Sequence, residues 1–132
     1  MATLAELTSA YGVDVLEHLD HQADIPVLSG PQIQGDVSIL PVTTKAAVTS
    51  IPAGGLVVAT GREGHDHRLL PGGFFDPAPQ WDGSLVIGTL TVPEGVEQYL
   101  AHDEHGYTGI AAGTYQVGRQ REFAGEWRQV AD

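Results

Sequence analysis

The 132-residue sequence contains no cysteine, which removes disulfides, thiolate-bound zinc and cysteine nucleophiles from consideration. Any metal would have to be held by imidazole, carboxylate or backbone oxygen. Positive charge is also scarce. Six Lys and Arg stand against seventeen Asp and Glu, a formal net charge of −11 with histidine neutral. Nonspecific binding to nucleic acid needs several phosphate-neutralising side chains, so no broad nucleic-acid surface is expected. Long apolar runs are missing too. None reaches the roughly 18 residues of a membrane-spanning helix, so no membrane partner is expected. The opening MATLAELTSAYG has no basic stretch and includes Glu6, unlike a secretory leader. The sequence therefore reads as that of a soluble, cytoplasmic protein.

What is present is ordinary for a packed domain. Hydrophobic residues make up 42% of the chain, and no compositional break divides it. One domain over residues 1–132 is expected, with a helical segment over 1–22 and a β part over 25–132. Thr3 and Glu6 fit a capping box, and Leu4, Leu7, Tyr11, Val15 and Leu19 repeat at helical spacing. They predict one helix, or two short ones broken near Gly12, from about residue 4 to about 20. Beyond it, seventeen glycines and eight prolines punctuate short runs of Val, Ile, Leu and Thr. The predicted strands are DVSILPV, AAVTSI, GLVVATG, SLVIGTLTV, QYLAH and GTYQVGRQREF. The stretch from Pro71 to Gly83 reads as the longest loop, and Phe74, Phe75 and Trp81 predict that it packs on something. Many short strands and one helix give a mainly β fold, a small barrel or sandwich, with the helix over one open end or one face.

The chemistry gathers around REGHDHRLL, residues 62–70. All six histidines come in close pairs: His18 with His21, His65 with His67, and His102 with His105. On a strand, residues two apart share a face, so His65 and His67 would present two imidazoles side by side, with Asp66 and Arg68 opposite. His102 and His105 would meet only across a helical turn or bulge, and Gly106 just after them favours a turn. If both pairs converge, His65, His67, His102 and His105 make a metal site for zinc, iron, manganese or nickel, with Glu104 beside it. His18 and His21 read as surface residues on the polar side of the helix. The same residues also suit metal-free chemistry. Two imidazoles can act as general base and acid while arginines hold a phosphate, as phosphodiester cleavage requires.

Lys45 is the single basic residue before Arg62, and Arg119, Arg121 and Arg128 lie near the C-terminus, so a local anion site survives the global negative charge. In GTYQVGRQREFAGEW, Tyr115, Val117, Arg119, Arg121 and Phe123 share one face, and Gln116, Gly118, Gln120 and Glu122 the other. This strand reads either as a charged edge or as a strand reaching into a polar cavity. In the second case Arg119 or Arg121 would grip an anion and Glu122 would join the histidines.

QGDVSILPV, EGHDHR and AHDEHGYTGIAAGTYQVGRQREF, in that order, resemble a family of small uncharacterised bacterial and phage proteins. The shared pattern runs Gly-Asp-Val, Pro-Val, Gly-His-x-His, His-x-Glu-His, Gly-x-Tyr and Arg-Gln-Arg-Glu-Tyr, with Phe123 in the last place. The resemblance covers about Gln34 to the C-terminus. It implies that Gly64, His65, His67, His102, Glu104, His105, Gln120, Arg121 and Glu122 form one constellation. A looser resemblance is to cupins, through His65-Asp66-His67 and Gly88 with Pro93-Glu94-Gly95. The cupin glutamate position is taken by Pro71 and Gly72, and Gln98 stands where a late histidine is expected.

The resulting expectation is a polar pocket with His65, His67, His102 and His105 as metal ligands, and with Glu104, Glu122 and Arg121 as catalytic candidates. It would bind a divalent transition metal and act on a small anionic ligand. The contrasting expectation is a non-enzymatic subunit of a homo-oligomer or larger, phage-associated assembly, in which the same residues form a packing network.

Overall fold

The computed structural model describes residues 2–11, 24–61, 64–79, 85–123 and 127–129. His18, His21, Arg62, Trp81 and the second half of the predicted helix lie outside these residues, as do the side chains of Arg121 and Glu122. The elements in chain order are α1 (Leu4–Tyr11), β1 (Val27–Leu28), β2 (Gln32–Gln34), β3 (Val37–Pro41), β4 (Leu56–Thr60), β5 (Asp66–Leu69), β6 (Phe74–Pro77), β7 (Val86–Val92), β8 (Gln98–His102), β9 (Gly106–Ile110), β10 (Gly113–Arg119), β11 (Arg121–Phe123) and β12 (Trp127–Gln129). The helix starts where the sequence predicts. Thr3 Oγ1 accepts the Glu6 N–H at 3.1 Å and the Leu7 N–H reaches the Thr3 carbonyl at 3.1 Å, so Thr3 supplies two of the bonds that open the first turn.

Ten strands form two sheets, in the orders β1-β9-β8-β5-β4 and β2-β3-β10-β7-β6, and β11 with β12 makes a separate hairpin. All neighbours are antiparallel except β1 with β9. One apolar cluster draws on both sheets: Val37, Ile39, Ala59, Leu69, Phe75, Leu90, Val92, Leu100, Ile110, Tyr115 and Val117. The described residues therefore form a sandwich of two open sheets, and the barrel alternative does not apply to them. A second cluster lies on the opposite face of the first sheet, where Leu7 of α1 meets Leu70, Tyr99, Ala101 and Tyr107. β8 is thus buried on both sides. Leu100 and His102 point into the sandwich, and Tyr99 and Ala101 point toward the helix.

Two departures from the predicted strands have a common cause. AAVTSI is apolar enough for a strand, but it reaches β6 only through a single bridge at Ser50–Phe74, and its earlier N–H groups are tied by side chains. Thr91 Oγ1 accepts the Ala47 N–H at 2.8 Å, and the Asp76 carboxylate accepts the N–H groups of Val48 at 3.1 Å and Thr49 at 2.9 Å. Conversely, the predicted loop contains β6, which pairs with β7 and buries Phe75 in the core. The Thr49 hydroxyl, followed by the Thr49 and Val48 N–H groups, holds the Asp76 carboxyl below the usual aspartate range. A depressed carboxyl stabilises the fold above its unfolded pKa, about 3.9, and that contribution disappears as pH falls through the lower folded value. Asp76→Asn is accordingly expected to melt below the parent at pH 7, with the gap closing in acid. A gap of constant size from pH 7 to pH 2.5 in thermal melts would contradict this.

Candidate functional site

The inward positions at one end of the first sheet carry imidazoles instead of aliphatic groups. The β5–β8 register pairs Leu69 with Leu100 and Arg68 with Ala101, so one step further His67 faces His102. Their ring centroids are 4.3 Å apart, and both residues are almost fully buried. The chain then turns through Asp103, Glu104 and His105, and Gly106 takes φ +78°, a left-handed conformation that glycine adopts at little cost. That turn folds His105 back until its ring lies 4.5 Å from His102. The His67 and His105 rings are 6.2 Å apart, and His65 and His102 6.0 Å. The two histidine pairs therefore do converge, across 35 or more residues of chain.

The two buried rings, His102 and His67, have defined hydrogen-bond partners. His102 Nδ1 accepts the Glu104 N–H at 3.0 Å and the His105 N–H at 3.2 Å. Two donors aimed at Nδ1 require its lone pair, so the ring proton sits on Nε2 and the imidazole caps the turn. The Gln34 amide nitrogen donates to the Leu100 carbonyl at 2.8 Å, the Gly106 carbonyl at 3.3 Å and Thr108 Oγ1 at 3.1 Å. That fixes Gln34 Oε1 as the acceptor for His67 Nδ1–H at 2.9 Å. His67 Nε2 faces Asp36 Oδ1 at 3.5 Å, and the other oxygen of Asp36 accepts from Arg119 Nη1 at 3.2 Å. The Gln120 N–H closes the arrangement on the Asp36 carbonyl at 2.8 Å. Residues from the β2–β3 turn and the end of β10 thus bring the second sheet onto the histidines of the first.

His65 differs from the sequence expectation. β5 begins at Asp66, so His65 is in the preceding connection and does not share a strand face with His67. Its ring reaches the β8–β9 turn, with Nδ1 2.6 Å from Asp103 Oδ2 and Nε2 2.9 Å from Glu104 Oε1. Donating from both nitrogens takes the imidazolium form; a cation at either nitrogen would take the place of that proton. Among the described residues, His65, Asp103 and Glu104 are the three whose donor atoms all lie within 4.8 Å of one another. They are half-buried, at the mouth of the cluster, whereas His67 and His102 lie behind them with Nδ1 already engaged. Ring convergence and a common donor set are therefore different things here. His105 is exposed, and its ring lies tilted against that of His102 without joining the trio.

Arg121 and Glu122 enter β11 directly after Gln120, so their backbone starts at this end of the sandwich; their side chains are outside the described residues. Gln34, Asp36 and Asp103 were given no role by sequence reasoning. Asp36 sits in the Gly-Asp-Val motif, and that motif was the one available signal. Gln34 carried none, because an amide at an inward strand position looks like any polar edge residue.

Fold and site together define a small β-sandwich domain with an imidazole–carboxylate cluster at one end. More particularly, the chain belongs to the family described as Domain of unknown function (DUF8820), which residues 33–120 match. The matched span includes Gln34, Asp36, His65, His67, the turn from His102 to His105, and Arg119, and it leaves α1 and the β11–β12 hairpin outside. Comparison with curated proteins and with solved structures gives no match, and the cupin likeness gains no support from it. No helix among the described residues is long and apolar enough to cross a membrane.

Proposed function

We propose that the end of the sandwich is a divalent transition-metal centre, with His65, Asp103 and Glu104 as the protein ligands, acting on a small anionic substrate. The observation that carries this reading is the approach of one imidazole and two carboxylates from two separate hairpins to within 4.8 Å. One nitrogen and two oxygens suit zinc, manganese or iron, and the two carboxylates offset the charge of the ion. Three protein ligands leave coordination positions open, the arrangement of catalytic sites rather than closed structural ones. A metal so held would polarise a substrate oxygen or activate water. His102 holds the turn that presents both carboxylates, and Gln34 fixes the orientation of His67 behind them, the kind of outer support that metal ligands need.

A second reading is supported by the Gln34 bonds, which cross between the sheets. In it the cluster only locks the sandwich of an assembly subunit. Calorimetric titration separates the two. Protein freed of metal by EDTA is expected to bind about one equivalent of Zn²⁺ or Mn²⁺. His65→Ala is expected to lose at least about 100-fold in affinity, more than the 10–100-fold typical of losing an outer partner, with an unchanged circular-dichroism spectrum. No uptake by the parent protein, or equal affinity in His65→Ala, would leave the packing network as the better account.

A further inference from the structure

Between the last strands of the two sheets, β4 on one side and β6 on the other, the sandwich opens into a cavity of about 310 Å³. Leu56, Val58, Phe75 and Ile87 line it, and Arg119 is the one charged side chain among its lining residues. Strand β4 contributes unusually many side chains because a bulge between Val57 and Ala59 inserts Val58 as an extra residue and bends the edge. Water in such a space has few polar partners, so an apolar group that displaces it is favoured. The volume is at the lower end of the range for small-molecule pockets.

We infer that this cavity is a binding site for a small carboxylic acid with an aliphatic or aromatic body. The body would fill the space between Phe75 and Ile87, and the carboxylate would meet the Arg119 guanidinium. Arg119 is suited to this because its N–H groups form a planar fork matching a carboxylate, and the bond from its Nη1 to Asp36 Oδ2 at 3.2 Å orients it. The net charge of −11 repels anions at long range, but that field is screened beyond about 10 Å at 0.1 M salt. Contact with Arg119 then decides the selectivity. A neutral molecule of the same length would gain the apolar contacts alone. The inference goes beyond the metal centre and does not depend on it.

The test uses octanoate and 1-octanol as probes, with the full chain in EDTA, followed by amide chemical shifts in heteronuclear NMR. Octanoate is expected to shift Leu56, Val58, Phe75 and Ile87 saturably and to bind about tenfold or more tightly than 1-octanol, the size of one charge-assisted hydrogen bond. Arg119→Gln is expected to remove that difference and leave octanol binding unchanged. Ala78→Trp places a bulky ring at another lining residue and leaves the Arg119 side chain itself unaltered, and the bond from Ala78 N–H to the Ile87 carbonyl is a backbone one that the substitution retains. This variant is expected to abolish binding of both probes, and it decides the matter if Arg119→Gln does not fold. Equal affinity of octanoate and octanol for the parent protein, or undiminished octanoate binding to Ala78→Trp, would overturn the inference. Because EDTA is present throughout, a failed metal titration leaves this result untouched.

Discussion

Replacing Gln34 by alanine is expected to lower the melting temperature by about 10 °C, far more than a polar residue on a three-residue strand would suggest. Gln34 is 3% exposed and its amide serves four partners: His67 Nδ1, the Leu100 and Gly106 carbonyls, and Thr108 Oγ1. Truncation leaves the His67 N–H without its acceptor and two carbonyls short of a donor, in a space closed to bulk water. A buried polar group that loses its partner costs about 1–3 kcal/mol, and the bonds to carbonyls that already sit in sheet ladders cost less. A total of roughly 2–3 kcal/mol converts to about 10 °C for a chain of this size. The readout is a thermal melt at pH 7, together with the proton exchange rate of the His67 ring, which should rise. A melting point within 2 °C of the parent would mean that water replaces the amide without loss, and that Gln34 does not couple the sheets.

Gly88→Val is expected to be at least as damaging, for a steric reason. Gly88 sits on β7 opposite Pro77 of β6 and opposite Val117 of β10, flanked on both sides by paired strands. A Cβ there would run into Phe75 Cζ and would lie 2.5 Å from the Asp76 carbonyl oxygen. The ring belongs to the core and the carbonyl belongs to the neighbouring strand, so neither can move alone. Overpacking costs typically about 1–3 kcal/mol, and a branched residue against a backbone oxygen belongs at or beyond the top of that range. The expected result is a protein that is insoluble, or that melts more than about 10 °C below the parent. Gly88→Ala should show a smaller loss of the same kind. Soluble Gly88→Val protein with parental stability would mean that β6 can pull away from β7, and that the Phe75 packing described above is wrong.

The strands read correctly from the sequence are those whose apolar runs are long and cleanly bounded. β3, β4, β7 and β8 fall inside DVSILPV, GLVVATG, SLVIGTLTV and QYLAH, whereas GTYQVGRQREF, expected as one strand, divides at Gln120 into β10 and β11, and β11 pairs with β12 in a separate hairpin. The missed strands share a different property. β5 reads Asp-His-Arg-Leu, because one of its two inward positions carries an imidazole where an aliphatic side chain would have signalled a strand. β6 is framed by Gly72, Gly73 and Pro79, which look like loop punctuation. β9 contains Gly109, which is glycine because a Cβ there would strike the Pro26 carbonyl of the segment entering β1. AAVTSI erred in the opposite sense: its composition suits a strand, but it meets β6 only at the Ser50–Phe74 bridge, and Asp76 and Thr91, distant in sequence, take the N–H groups of Ala47, Val48 and Thr49. The histidine pairs were the most legible part of the candidate site, and Gly106 signalled the turn that joins the second pair.

Local pattern settled the β class, the capped start of the helix, and which residue types are chemically able to serve at the histidine cluster. Alternation and turn residues are properties of neighbours along the chain, so they can be read without coordinates. The pairing of β5 with β8, and of β2 with β3 above them, follows from strand order, which is set by how the two faces bury each other over the whole sandwich. That order put Asp103 beside His65, 38 positions away, and Gln34 beside His67, 33 positions away. It also turned an expected set of four imidazoles into one imidazole with two carboxylates, because a residue's periodicity says which way it faces and nothing about what stands opposite.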